Sequence, residues 1–359
     1  MPAPAALPPV GVRGRTSVDG PERDTMTTRR MILLLPLLFS LSLAGAGQEK
    51  QEPVKRLRTT VELVLVPVTV KDAAGNAVLD LLQEDFRIFD DGVEQKISVF
   101  SAEPFPLSVV LLVDDDLPPR TADFVDKSLG AVSGGLGPRD EAAVILFEQF
   151  PRTVVEFIAD SDKFHDALKR VELVKHTASQ GSPALNGPPR LNTAPIETGV
   201  PSASRVANKG SKNLDDAILA AGQMLRERGR DRRKIILIVS DGKNSRNNTA
   251  SREDVMRVLL SSDISVYAVG VSEAVLNRGT SALAKYAVTT GGDVFYAPGR
   301  GDLESDYSRV LDEARNQYTL AYSPQGNDRT KEYHTVEVRA RRARLTVLTR
   351  DGYFLAVTP

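Results

Sequence analysis

Cysteine is absent from the 359 residues, and only three histidines occur, His165, His176 and His334, far apart in the chain. Thiol catalysis, disulfides and iron–sulfur clusters are thereby excluded, and no Cys or His pair has the spacing of a zinc site. An excess of charge of one sign is also missing. The 46 Lys and Arg nearly balance the 47 Asp and Glu, leaving a formal charge of -1. Such a chain has no global field for holding nucleic acid or an anionic membrane surface. A membrane-length apolar run is lacking too: Met31–Leu43 falls short of the roughly 20 residues that a span needs. What is there, 41% hydrophobic and 26% charged residues, is the profile of an ordinary globular protein.

The short apolar run reads as a targeting signal. Arg29 and Arg30 precede it and Ala44-Gly45-Ala46 follows, the basic flank and small-residue cleavage site of a secretory signal peptide. A retained anchor is the alternative. Residues 1–25, rich in Pro, Gly and Ala, precede a second possible start at Met26 and read as a mis-called start. The mature chain is expected to begin near Gly47, secreted or periplasmic and without a membrane span.

Residues 47–104 read as a small β-module. Thr60–Lys71 is a buried strand, and Phe86–Asp90 and Glu94–Phe100 flank Asp91-Gly92, a hairpin signal because both turn positions tolerate positive φ. From 105 to 316 apolar strands alternate with amphipathic helices. Leu107–Val113, Glu141–Phe147, Thr153–Ile158, Lys234–Ser240, Ser265–Val271 and Val294–Tyr296 are the strands. Leu214, Ala217, Ile218, Ala221 and Leu225 make one helical stripe. Ser251 caps the next helix, whose buried side carries Val255, Val258 and Leu259, and Ser281–Thr290 and Leu303–Asn316 supply two more. This order predicts a mostly parallel sheet covered on both faces. Residues 176–209, rich in Pro, Ser, Asn and Gly, form an insertion. Residues 317–359 return to β structure, with Tyr318–Tyr322, Tyr333–Ala340, Leu345–Thr349 and Tyr353–Leu355 placed to complete the N-terminal module.

Two carboxylate clusters, Asp114–Asp116 and Asp241, follow apolar strands, where open parallel sheets bind their ligands. With Gly210–Ala217 (GSKNLDDA) opening a helix, Ile238–Gly242 (IVSDG) and Leu283–Tyr296, the segment order resembles the von Willebrand factor type A domain over Pro106–Asn316. The flanking segments resemble an exported bacterial (Acidobacteria-type) subgroup of A-domain proteins. The resemblance implies a Rossmann-like α/β domain, here with a small β-sandwich-like module, that serves adhesion or assembly rather than catalysis. It also implies a divalent cation, Mg²⁺ or Ca²⁺, at a metal-ion-dependent adhesion site open to a partner's carboxylate. The candidate ligands are Asp114, Asp116 and Asp241.

The pattern is degenerate. The first motif reads Asp114-Asp115-Asp116-Leu117-Pro118, so one expected Ser has become Asp and the other Pro, and Lys212 stands where a ligand Thr belongs. One reading has the Lys212 ammonium replace the metal by pairing with Asp114, Asp116 or Asp241. The other has the carboxylates keep Mg²⁺ or Ca²⁺ while Lys212 swings outward. The metal-free reading is favoured, because Mg²⁺ demands the geometry that the lost hydroxyls provided.

The function expected is non-enzymatic binding of an unidentified protein or surface ligand. Alternatives are a scaffold with a vestigial site and a haloacid-dehalogenase-like Mg-dependent phosphatase. In the latter, Asp114 and Asp116 would be nucleophile and acid/base, with Ser240 and Lys212 on the phosphate. Arg226–Lys234 reads as a solvated helix end and loop, Arg300-Gly301-Asp302 as a Pro/Gly loop, and His165 and His334 as surface or structural residues.

Overall fold

The computed structural model describes residues 63–174, 190–191, 194–195, 212–279, 281–326 and 330–355. The expected signal peptide and most of the expected insertion at 176–209 lie outside them. Among the described residues no helix is long and apolar enough to cross a membrane.

The longest apolar runs become the central strands because helices cover both of their faces. β5 (Leu107–Asp114), β6 (Glu141–Phe147), β10 (Arg233–Ser240) and β11 (Ile264–Gly270) are buried at every residue. With β12 (Val294–Tyr296) and β7 (Pro151–Ile158) they form a six-stranded sheet in the order β12-β11-β10-β5-β6-β7. All neighbours are parallel except β6 and β7. Alternate residues divide between two cores. Val109 and Leu111 face α1 (Pro119–Ser128), α2 (Ala131–Gly134), α3 (Ser161–Leu168) and α8 (Arg300–Arg315). Val110 and Leu112 face α4 (Leu214–Arg226), α5 (Arg252–Ser261), α6 (Glu273–Leu276) and α7 (Ala282–Thr290).

Local signals start and stop these helices. The Ser251 hydroxyl accepts from Asp254 N and that of Ser281 from Ala284 N, satisfying amides that have no partner within the helix. Gly291 ends α7 at φ 77, the left-handed conformation that glycine adopts without strain. On α5 the buried set is Val255, Leu259 and Leu260, while Val258 is half-buried. Within the insertion, β8 (Arg190–Leu191) and β9 (Ala194–Pro195) pair antiparallel.

Strands from both ends of the described chain build the companion module. β1 (Val64–Lys71) lies between β13 (Tyr318–Tyr322) and β15 (Thr346–Thr349), and β4 (Val99–Ser101) edges β13. A second antiparallel sheet runs β16-β14-β2-β3, from Gly352–Phe354, Tyr333–Ala340, Phe86–Asp90 and Val93–Gln95. Val66, Val68, Ile88, Leu320 and Val338 share the core between the sheets. The β2–β3 turn is Asp91-Gly92, at φ 48 and φ 82. The single strand expected over Glu94–Phe100 is two. The chain leaves one sheet after Gln95, buries Ile97, and joins the other where Ser98 N donates to Ala321 O at 2.8 Å. Two sheets that share a core need such a crossing, and a buried residue between two short polar runs supplies it.

The basic run at 226–234 is a solvated helix end and loop at Arg226, Glu227 and 229–231, but its other arginines are engaged. Arg228 forms a forked pair with Glu141 at 2.6 and 2.8 Å. Arg232 donates to Ser108 Oγ and to the Leu107 and Arg139 carbonyls. Arg233 is buried against the β-module, donating to Gln317 and Thr319. Planar guanidinium groups with several donors suit this task of tying strand ends together.

Candidate functional site

The strand order reverses between β5 and β10, which run side by side at the centre of the sheet. Asp114 ends β5, Ser240 ends β10, and Asp241 follows it. Lys212 arrives from a third direction, two residues before α4. Its position is fixed by the backbone around it. Lys212 O accepts from Ser245 N at 2.7 Å, and Asn213 donates from its backbone to Glu148 O and from its side chain to Gln149 O.

The Lys212 ammonium donates to Asp114 Oδ2 at 2.9 Å and to Asp241 Oδ2 at 3.0 Å. The three side chains are 5%, 0% and 1% exposed, in the order Lys212, Asp114, Asp241. Ser240 Oγ donates to Asp114 Oδ2 at 2.8 Å, and Asp116 N donates to Asp114 Oδ1 at 3.0 Å. Asp241 Oδ1 accepts from Lys243 N at 3.1 Å, and Lys243 Nζ lies 3.4 Å from Asp241 Oδ2 and 2.7 Å from Glu273. Two carboxylates and one ammonium leave the buried trio with one net negative charge. Burial opposes the ammonium, but the pull of Asp114, then of Asp241, more than offsets it and holds Lys212 above the ordinary lysine value. Burial, reinforced by the Asp241 charge, pushes the Asp114 carboxyl up.

The structure brings Asp114, Asp241 and Lys212 into direct contact, and Asp116 serves Asp114 through its backbone N–H. Asp115 turns the other way, accepting from Val174 N at 2.7 Å and lying 3.3 Å from Arg152. The segment that leads into the insertion is thereby tied to the same loop. Sequence reasoning missed Lys243, whose only signal was its place after Asp241-Gly242. It also missed Asp215, whose Oδ1 accepts from Tyr286 OH at 2.7 Å and Asn244 Nδ2 at 2.9 Å, joining α4, α7 and the loop after β10.

These residues do not fit Mg²⁺ or Ca²⁺, which need a shell of oxygen ligands. A cationic nitrogen sits between the two carboxylates. Pro118 offers no hydroxyl, and both oxygens of Asp114 and of Asp241 already accept hydrogen bonds. Nor does the arrangement suit a phosphatase nucleophile, because Asp114 has no exposed surface with which to meet a phosphate ester.

Other motifs resolve without a site. Arg300-Gly301-Asp302 is not in a loop but opens α8, where Asp302 suits the first turn. His165 Nδ1 lies 2.9 Å from Ser133 Oγ, joining α3 to α2. His334 is buried rather than at the surface, and its Nδ1 lies 3.0 Å from Asp91 Oδ2 and 4.0 Å from Asp90 Oδ1. Sequence spacing gave no sign of this Asp-Asp-His group, because 243 positions separate Asp91 from His334. Its oxygens serve the fold: Asp90 Oδ2 accepts from Tyr322 and Tyr353, and Asp91 Oδ1 from the Thr335 amide and hydroxyl.

A family model, the von Willebrand factor type A domain, matches residues 193–305. No curated protein matches the sequence. Among solved structures, the conserved hypothetical protein BatB of Bacteroides thetaiotaomicron is 11% identical at a TM-score of 0.38, covering 58% of this chain and 98% of its own. A von Willebrand factor type A protein from Catenulispora acidiphila is 9% identical at a TM-score of 0.41, covering 82% of this chain and 75% of its own. Proximal thread matrix protein 1 of the mussel byssus, solved with zinc in its adhesion-site motif, is 12% identical at a TM-score of 0.40. The match covers 63% of this chain and 49% of that one. The matched segment holds α4, β10, α5, β11, α7 and β12, and β5 and β6 extend their sheet with the Asp114 loop. Over residues 193–305, then, the chain is similar to the von Willebrand factor type A domain.

Proposed function

We propose that this chain is an exported, non-enzymatic binding module that engages a protein or surface ligand at the carboxyl edge of its central sheet without a divalent cation. The observation that carries the reading is the Lys212 ammonium, held at 2.9 and 3.0 Å between the two carboxylates that would flank a metal. A bound cation would present an open coordination position to a partner's carboxylate. The buried lysine presents none, so recognition falls to the rim. There Phe150, 74% exposed on the loop after β6, and Leu276, 84% exposed at the end of α6, stand on the elements that follow β6 and β11, which also carry Arg152 and Glu273, the partner of Lys243. Exposed aromatic and aliphatic side chains beside cations are the usual anchors of protein recognition.

Calorimetric titration of Mg²⁺, Ca²⁺ and Mn²⁺ into the chain from Gly47 tests the reading. No saturable binding is expected for the wild type, whereas the Lys212→Thr, Pro118→Ser double variant binds. Saturable wild-type binding that Asp114→Ala or Asp241→Ala abolishes would overturn it.

A further inference from the structure

We propose that Lys212 and Asp114 become joined by a side-chain amide, a covalent cross-link at the heart of the sheet edge. The inference rests on the seat of Lys212 described above. The lysine nitrogen lies 2.9 Å from Asp114 Oδ2, the oxygen bonded to the Cγ that it would attack. A second carboxylate, Asp241, lies 3.0 Å from the same nitrogen and can relay its proton. Asp114 Oδ1 already receives the Asp116 N–H at 3.0 Å, the donor that an oxyanion developing on that oxygen requires. Ser240 Oγ, 2.8 Å from Oδ2, lies against the oxygen that would leave. Burial of all three groups keeps out the water that would compete for the carbonyl.

The step balances without a co-reactant. One proton passes from the ammonium to Asp114 Oδ2, giving a neutral amine and a neutral acid. The nitrogen lone pair attacks Asp114 Cγ, forming the C–N bond and placing negative charge on Oδ1. Asp241 takes a proton from the nitrogen and returns it to the Oδ2 hydroxyl. The C–O bond breaks, water departs, and the carbonyl re-forms at Oδ1. An ammonium and a carboxylate have become an amide and one water, with nothing oxidised or reduced and Asp241 unchanged. The product ties positions 98 apart in a chain that has no cysteine for a disulfide.

Mass spectrometry of the exported chain tests this. The intact mass is expected to fall one water short of the sequence, and a tryptic digest should contain one branched peptide carrying both Asp114 and Lys212, uncut after Lys212. Lys212→Arg keeps the positive charge and should restore the full mass, while Asp241→Asn should slow formation of the link. A full mass with cleavage after Lys212 overturns the proposal, as does a one-water deficit located anywhere else, such as a succinimide at an Asp-Gly pair. Either result leaves the metal-free reading to the cation titration, which reads a different property. Conversely, cation binding by the wild type would remove the seat on which the link depends.

Discussion

In a chain whose full mass shows Lys212 and Asp114 unlinked, removing the Lys212 ammonium is the sharpest test of how the edge of the sheet is held. Lys212→Met keeps the length and most of the volume of the side chain but leaves Asp114 and Asp241 facing each other without a counter-charge. Exposures of 5%, 0% and 1% mean that water screens little of the interaction. Deleting one partner of a buried pair costs about 3–5 kcal/mol, because the abandoned charge stays desolvated. The exposed pair of Lys127 and Asp123, at 58% and 43%, is the control, since Lys127→Ala should cost no more than about 0.5 kcal/mol. Urea melts at neutral pH measure both. Two further features identify the cause. Adding Asp114→Asn to Lys212→Met should recover part of the loss, and lowering the pH toward the carboxylate range should narrow the gap to wild type by protonating the orphaned acids. A Lys212→Met loss below about 1 kcal/mol, or losses that simply add in the double variant, would refute the reasoning.

Two other outcomes follow from the geometry. Hydrogen bonding, led by the Thr335 amide and aided by His334 and Lys331, holds Asp91 down to about 2 from 3.8. A depressed acid contributes stability above its unfolded value and loses it as pH falls, here between about pH 4 and 2. Discounted for the partial exposure of the turn, Asp91→Asn should cost about 1 kcal/mol at pH 7 and flatten that part of the acid-unfolding curve. Equal slopes in the two proteins would count against it. At Gly292 an added Cβ would stand 2.0 Å from the Val266 carbonyl oxygen, a backbone atom that cannot swing aside. Gly292→Ala should therefore lose about 3 kcal/mol or more, and a melt within a degree of wild type would show that α7 can move away from β11.

The α/β layers were legible because burial on both faces writes itself into sequence as unbroken apolar runs, as in Lys234–Ser240. The hairpin at Asp91-Gly92 was legible because positive φ restricts residue choice. Boundaries set by partners distant in sequence were not. Nothing local in Glu94–Phe100 says that its halves belong to different sheets, and nothing in RERGRDRRK says that Arg233 will be buried on Gln317. At the site, Asp114 and Asp241 could be grouped from their strand ends, but Lys212 entered only through the family pattern, since 98 positions separate it from Asp114. The helper residues Lys243 and Asp215 depend on side-chain directions that spacing does not encode.

The β-module has a consequence for the order in which the chain can fold. β1 finds its neighbours only in β13 and β15, and the Thr349 hydroxyl bonds to the Pro67 carbonyl across 282 positions. A ribosome that has made everything up to the end of α8 has therefore still left β1 and β4 unpaired and the β2–β3 hairpin without β14. Closures this distant are slow and leave open strand edges in the meantime. The sandwich locks only once β13, β14 and β15 have been made, and a chain truncated before Tyr318 would keep Val66, Val68 and Ile88 uncovered as a signal for degradation or aggregation.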